Sequence, residues 1–138
     1  MPSQIGKIMT IVLDTHTLIW FLSDDQRLGA KAREVLLRRD GIDVIIPIIV
    51  LFEIAYLQKR KNLPVSMTEI KQWISCSGNM RVYPVDMSIL DVCPKELEIH
   101  DAMIVGTALA LGLSGPADVW IVSCDQEITN CKGVQTIW

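Results

Sequence analysis

Lys7-Ile8-Met9-Thr10-Ile11-Val12-Leu13-Asp14-Thr15-His16-Thr17-Leu18-Ile19-Trp20 decides how this chain is read. From Ile8 to Leu13, β-branched and aliphatic residues follow one another without a charge, the signature of a buried strand. The run stops at Asp14, and an apolar helical pattern takes over from Thr15 to Leu22. A carboxylate therefore stands at the C-terminal end of a strand, which is where open α/β sheets bind ligands. Its meaning depends on whether other acids reach the same edge.

Outward from that stretch the pattern repeats. After the break at Ser23-Asp24-Asp25, a helix is expected over Ala30–Arg39, then a strand over Asp43–Ile46 stopped by Pro47. Ile48 to Lys61 reads as a helix apolar nearly all round, and so as a buried one, with Glu53 its one internal acid. Ser66 and Glu69 form a capping-box signature opening a helix to about Ser75. A strand over Met80–Val85, a helix over Met87–Val92 and a strong helix over Glu98–Leu111 follow. The chain then closes with strands over Trp120–Val122 and Val134–Trp138. Strands alternating with helices imply an α/β fold, a central, mostly parallel sheet flanked by helices on both faces. Nothing marks a linker or repeat, so residues 1–138 are expected to be one domain, with 1–7 a flexible lead-in.

Composition narrows the class. Of 138 residues half are hydrophobic and 21% charged, which suits a compact folded chain. The net charge of −3 gives no sign of a nucleic-acid binder, although a site rich in carboxylates makes a metal enzyme acidic overall. Cys76, Cys93, Cys124 and Cys131 lack zinc-site spacing and read as reduced, mostly buried thiols. No secretory signal is legible, and the longest uncharged apolar run, Val44 to Phe52, falls far short of the ~20 residues of a membrane helix. A cytoplasmic location and no membrane partner are expected. The four tryptophans, Trp20, Trp73, Trp120 and Trp138, read as core or interface aromatics and not as base-stacking platforms.

Asp14 and Asp125 end the first and fourth strands, Asp101 lies in a helical first turn, and Glu53 lies in a helix directly after a strand. In a parallel sheet all four reach one edge. Each also has a plainer reading: Asp14 and Asp125 as helix N-caps, Asp101 as a favourable charge at a helix dipole, Glu53 as the partner of an arginine. Brought together, four carboxylates repel, and a divalent ion reverses that penalty. Oxygen ligands suit Mg²⁺ or Mn²⁺, and such sites perform phosphoryl chemistry. An aspartyl phosphatase would want a second Asp at position 16, which is His16. No phosphate-binding glycine loop is present either. His16 and His100 neighbour site acids, as general acid–base groups or as positional residues. Lys59, Arg60 and Lys61 form a basic run at the end of a helix, the usual mark of a solvated helix end.

Leu13-Asp14-Thr15-His16-Thr17-Leu18-Ile19-Trp20, Phe52-Glu53-Ile54-Ala55, His100-Asp101-Ala102-Met103-Ile104-Val105-Gly106-Thr107-Ala108 and Ile121-Val122-Ser123-Cys124-Asp125 together resemble the four acidic motifs of PIN domains. The toxin ribonucleases of toxin–antitoxin pairs, the VapC-like branch, are the nearest likeness. The resemblance implies a PIN fold, Mg²⁺- or Mn²⁺-dependent endoribonuclease activity, a homodimer and a small cognate antitoxin. With RNA as substrate, Lys59, Arg60 and Lys61 are the basic groups expected to flank the cleft and contact it, with His16 a further RNA contact. The resemblance makes Asp14 and Asp101 principal metal ligands, Glu53 a ligand or water-orienting group, and Asp125 the acid that completes the pocket. It also makes Ser123 a hydrogen-bond partner of Asp14. The Asp-Pro-x-Asp-Arg form of the third motif is absent, so no arginine role is implied there. The readings that compete are a non-catalytic module docking a basic peptide, and a DNA- or flap-acting nuclease of similar fold.

Overall fold

The computed structural model describes residues 8–116 and 118–138. The expected lead-in, residues 1–7, lies outside the described residues. Along the chain the elements are β1 (Met9–Leu13), α1 (Thr15–Leu22), α2 (Ala30–Leu37), β2 (Ile42–Pro47), α3 (Ile48–Arg60) and α4 (Met67–Cys76). β3 (Met80–Tyr83), α5 (Met87–Val92), α6 (Ile99–Ser114), β4 (Val119–Val122), α7 (Gln126–Thr129) and β5 (Thr136–Ile137) complete it.

The five strands form one sheet in the order β3-β2-β1-β4-β5, and every neighbouring pair is parallel. β1 is the middle strand. Ile11, Val12 and Leu13 are wholly buried although successive side chains face opposite ways, so helices cover both faces. The chain steps outward from β1 to β2 to β3, then returns across β1 to lay down β4 and β5. The order therefore reverses between β1 and β4, and the register pairs Leu13 with Val122 at the ends of those strands. A crevice opens outside the carboxyl ends of the strands at such a reversal.

α6 is the most enclosed helix: Ala102, Ile104, Val105, Gly106, Thr107, Ala108, Ala110 and Leu111 are all buried. Gly106 lets α5 lie close, since a Cβ there would sit 2.9 Å from both Cys93 Cβ and Ile89 Cγ2. α6 also continues through Gly112 to Ser114, past its expected end. A helical glycine costs about 1 kcal/mol, which three packed turns before it outweigh. Pro47 closes β2 as its last residue and N-caps α3, so the strand ends where the ring's missing N–H stops the ladder.

Two expectations about burial fail. α3 is not buried all round: Val50 and Ile54 are, but Phe52 is 57% and Tyr56 66% exposed. Its Ile48, Ile49 and Phe52 line an open apolar groove with Val82, Pro84, Val85 and Met103, so hydrophobicity overstated how much of the helix the fold covers. The cysteines are not core either: Cys76 and Cys124 are exposed, and Cys93 and Cys131 half-buried.

Candidate active site

The end of β1 delivers Asp14. Its Oδ1 accepts from the Thr17 N–H at 2.9 Å and so caps α1, leaving the second oxygen to face the crevice. Thr17 in turn donates from Oγ1 to the Val122 carbonyl at 2.8 Å, a buried bond that ties α1 to the end of β4. Asp125 was expected to end that strand, yet β4 stops at Val122. Asp125 instead caps α7, its Oδ1 accepting from Glu127 N at 2.8 Å and Ile128 N at 3.1 Å. Capping and site membership are thus not alternatives for these two residues; each carboxylate does the first with one oxygen.

Asp101 projects from the first turn of α6. Glu53 comes from α3 and accepts a hydrogen bond from the Thr15 hydroxyl rather than pairing with an arginine. Asp14, Glu53, Asp101 and Asp125 all line one cavity of about 160 Å³, together with Thr15, His16, Trp20, Cys124 and Trp138. Larger hollows lie elsewhere. One of about 650 Å³ beside α2 has Arg27 and Arg33 on its wall, and one of about 1020 Å³ at the opposite edge of the sheet has Arg38. The larger hollows hold acids as well, Glu34 in the first and Asp40, Asp43 and Asp118 in the second, but each also has an arginine, whereas among the described residues the cavity of the four carboxylates has no Lys or Arg on its lining.

That charge is visible on Asp101. Burial, then the like charges of Asp125, Glu98, Glu53 and Asp14, push its carboxyl up to about 6. Among the described residues the ion pairs are Arg27–Asp25, Arg33–Asp24, Arg38–Glu34, Arg81–Asp43 and His100–Glu98, so no cation answers the four acids. Partial desolvation and the neighbouring Asp14 carboxylate likewise push the Cys124 thiol up, which keeps it protonated and unreactive.

Oxygen-only donors with excess negative charge fit a hard divalent cation. Among the described residues no three His, Cys, Asp or Glu side chains are already drawn into a ready ligand set. The raised Asp101 carboxyl reflects its burial first and the like charges around it second.

Other expectations are corrected by the geometry. Ser123 is buried, but its hydroxyl accepts from the Asp125 N–H at 3.0 Å and makes no bond to Asp14. Lys59, Arg60 and Lys61 do not flank the cavity. α3 starts at the strand ends and runs away from them, which puts these exposed residues about 9–12 Å along the helix from Glu53. His100 pairs with Glu98 at 3.0 Å and does not line the cavity, whereas His16 does. The sequence reading missed Thr15, Trp20, Trp138 and Arg27. Only His16 and Trp20, four residues apart in one helix, left a signal.

A model of the PIN domain family matches residues 11–133, from the middle of β1 almost to β5. The chain belongs to the PIN domain family. PIN domains are nucleases and generally use divalent metal ions, as the donor set suggests for this one. The fold is similar to that of a chain in the crystal structure of VapBC2 from Rickettsia felis bound to a DNA fragment from their promoter. The likeness has a TM-score of 0.67 at 11% identity, over 94% of this chain and 98% of that one. No curated protein matches the sequence. No helix among the described residues of this PIN domain is long and apolar enough to cross a membrane.

Proposed function

We propose that this PIN domain, acting as one unit over residues 1–138, is a metal-dependent endoribonuclease and the toxin of a toxin–antitoxin pair. One observation carries the nuclease reading: four carboxylates line a single cavity near the reversal of strand order, and among the described residues no basic side chain pairs with them. A bound Mg²⁺ or Mn²⁺ would supply charge that activates water and stabilises the leaving oxygen of a phosphodiester.

The protein's own contributions follow from position. Asp14 and Asp101 would hold the ion, Asp14 on the rigid end of the middle strand and Asp101 on the most enclosed helix. Glu53, held by the Thr15 hydroxyl, would orient the attacking water and take its proton. Asp125 would complete the negative wall through its uncapped oxygen. His16, exposed at the rim, would contact the strand.

The toxin role draws support from the likeness of fold to a chain of the VapBC2 complex, and implies a small antitoxin as partner. A homodimer would give the exposed Phe52, Tyr56 and Val85 an apolar surface to pack against.

The test is cleavage of a mixed RNA pool by purified protein in Mg²⁺ or Mn²⁺ against EDTA, with a DNA pool in parallel. Cleavage that needs metal, leaves 5′-phosphate ends and falls at least about a thousandfold in Asp14→Asn and Asp101→Asn is expected. Full activity of both variants in Mg²⁺ would remove the metal assignment. Cleavage of DNA alone would favour the DNA-acting reading.

A further inference from the structure

We propose that His16, Trp20 and Trp138 form a stacking wall for an unpaired nucleobase of the strand whose phosphate enters the acid cavity; this rests on the ribonuclease reading above. All three side chains line the cavity that the four acids line, and Trp20 contacts both of the other rings. His16 and Trp20 have ring centroids 5.3 Å apart at an interplanar angle of 43°, and Trp20 and Trp138 are 5.9 Å apart at 64°. His16 and Trp20 belong to α1, the helix that Asp14 caps, so one element carries both a site acid and two rings. Trp138 follows β5, whose neighbour β4 leads to Asp125.

The wall is built in rather than assembled on demand. A Cβ at Gly29 would lie 2.5 Å from the Trp138 backbone carbon and 2.7 Å from its Cδ1, so only glycine admits the indole there. The Arg27 guanidinium lies 4.8 Å from the Trp20 ring centroid and is itself held by Asp25 at 2.7 Å. Rings fixed in this way lose little freedom when a ligand arrives.

Size and charge both point to a base at this wall. At about 160 Å³ the cavity is well below the roughly 300–1,000 Å³ of pockets that enclose a whole small molecule. It suits a phosphate and its ion, so the attached base must lie outside, against the rim. Four carboxylates give a polyanion little electrostatic attraction, and the basic run of α3 ends far from the cavity. Stacking needs no net charge and tolerates any base. A base inside a duplex is already stacked on its neighbours and cannot reach the wall, so the base that the three rings take is an unpaired one.

The test separates base from backbone. A mixed-sequence single-stranded RNA is titrated into the protein in Ca²⁺, with strand integrity checked on a gel, and binding is followed by anisotropy and tryptophan fluorescence. Each nucleotide is then made abasic in turn. We expect one abasic position to weaken binding about tenfold, with loss of the accompanying fluorescence quench. That penalty should shrink toward unity in His16→Ala, an exposed substitution that leaves the core intact, and in Trp20→Leu, while Trp20→Phe retains part of it. Equal binding of every abasic strand, or an undiminished penalty in folded His16→Ala and Trp20→Leu, overturns the wall. Metal-dependent RNA cleavage without base-dependent binding removes the wall and leaves the ribonuclease reading. Base-dependent binding without cleavage in Mg²⁺ or Mn²⁺ removes the ribonuclease reading and leaves the wall.

Discussion

Asp101 is the residue on which the charge of the site falls hardest. Its carboxyl sits at about 6 in the folded protein against an ordinary value of 3.8, so the folded state holds its proton more tightly than the unfolded chain does. The stability linked to that proton is fully present below 3.8 and lost as pH rises through 6. Replacing Asp101 by Asn fixes the side chain in its uncharged form. Metal-free Asp101→Asn should therefore be more stable than the parent at pH 7.5, by about 1 kcal/mol after allowing for solvent screening of a partly exposed group. The gain should shrink as pH falls from 6 towards 4. Thermal melts in EDTA across that range check it, and a destabilised variant at pH 7.5 would contradict the account. The same residue separates what a chain can tell from what it cannot. Asp101 was legible as a helix-first-turn acid, but its raised carboxyl comes first from burial and then from Asp125, Glu98, Glu53 and Asp14, and folding alone supplies the burial and three of those four neighbours. Ser123 went the other way, because its expected partner was Asp14 and its hydroxyl accepts from the Asp125 N–H instead.

The element that most directly holds the site is α6, and its seat depends on Gly106. An alanine methyl there would meet Cys93 Cβ and Ile89 Cγ2 at 2.9 Å, forcing α5 outward. Overpacking of this kind costs about 1–3 kcal/mol, offset by the ~1 kcal/mol of helix propensity that alanine restores. Gly106→Ala should lose about 1 kcal/mol net, read as a lower urea midpoint with unchanged slope. An increase in stability would mean that α5 yields freely. Helices and strands were legible because their hydrophobic periods differ, and the β1–α1 junction announced itself within fourteen residues. What α3 packs against was not. Its apolar pattern gave no means of telling a buried face from the exposed Phe52 and Tyr56, since a sequence records hydrophobicity and not the neighbour that covers it. For the same reason the basic end of α3 was assigned to a cleft from which the helix runs away.

Across the whole molecule, parallel strands and a reversal of order bring residues from positions 14, 53, 101 and 125 to one cavity. That convergence was legible, because strand ends in a parallel sheet share an edge whatever the strand order. The aromatic wall was not, since Trp20 and Trp138 lie at opposite ends of the chain and no periodicity links them. If the acids take up an ion, the folded state gains what the unfolded chain does not. Mg²⁺ or Mn²⁺ at a hundred times its dissociation constant should add about 2.7 kcal/mol of stability, several degrees in melting temperature. The shift should be lost in Asp14→Asn and should fade below pH 6, where the proton on Asp101 competes with the ion. An equal shift in Asp14→Asn would place the ion elsewhere. The position of Trp138 has a practical side. Because Trp138 lines the cavity of the four carboxylates while its backbone carbon packs at Gly29, whatever is fused after residue 138 starts one residue from the cavity lining. A polyhistidine purification tag attached there would bring imidazoles to the cavity mouth, where they could capture the very ions an assay adds. A handle joined at the other end, or cleaved off before measurement, keeps the chemistry of the tag out of the chemistry of the protein.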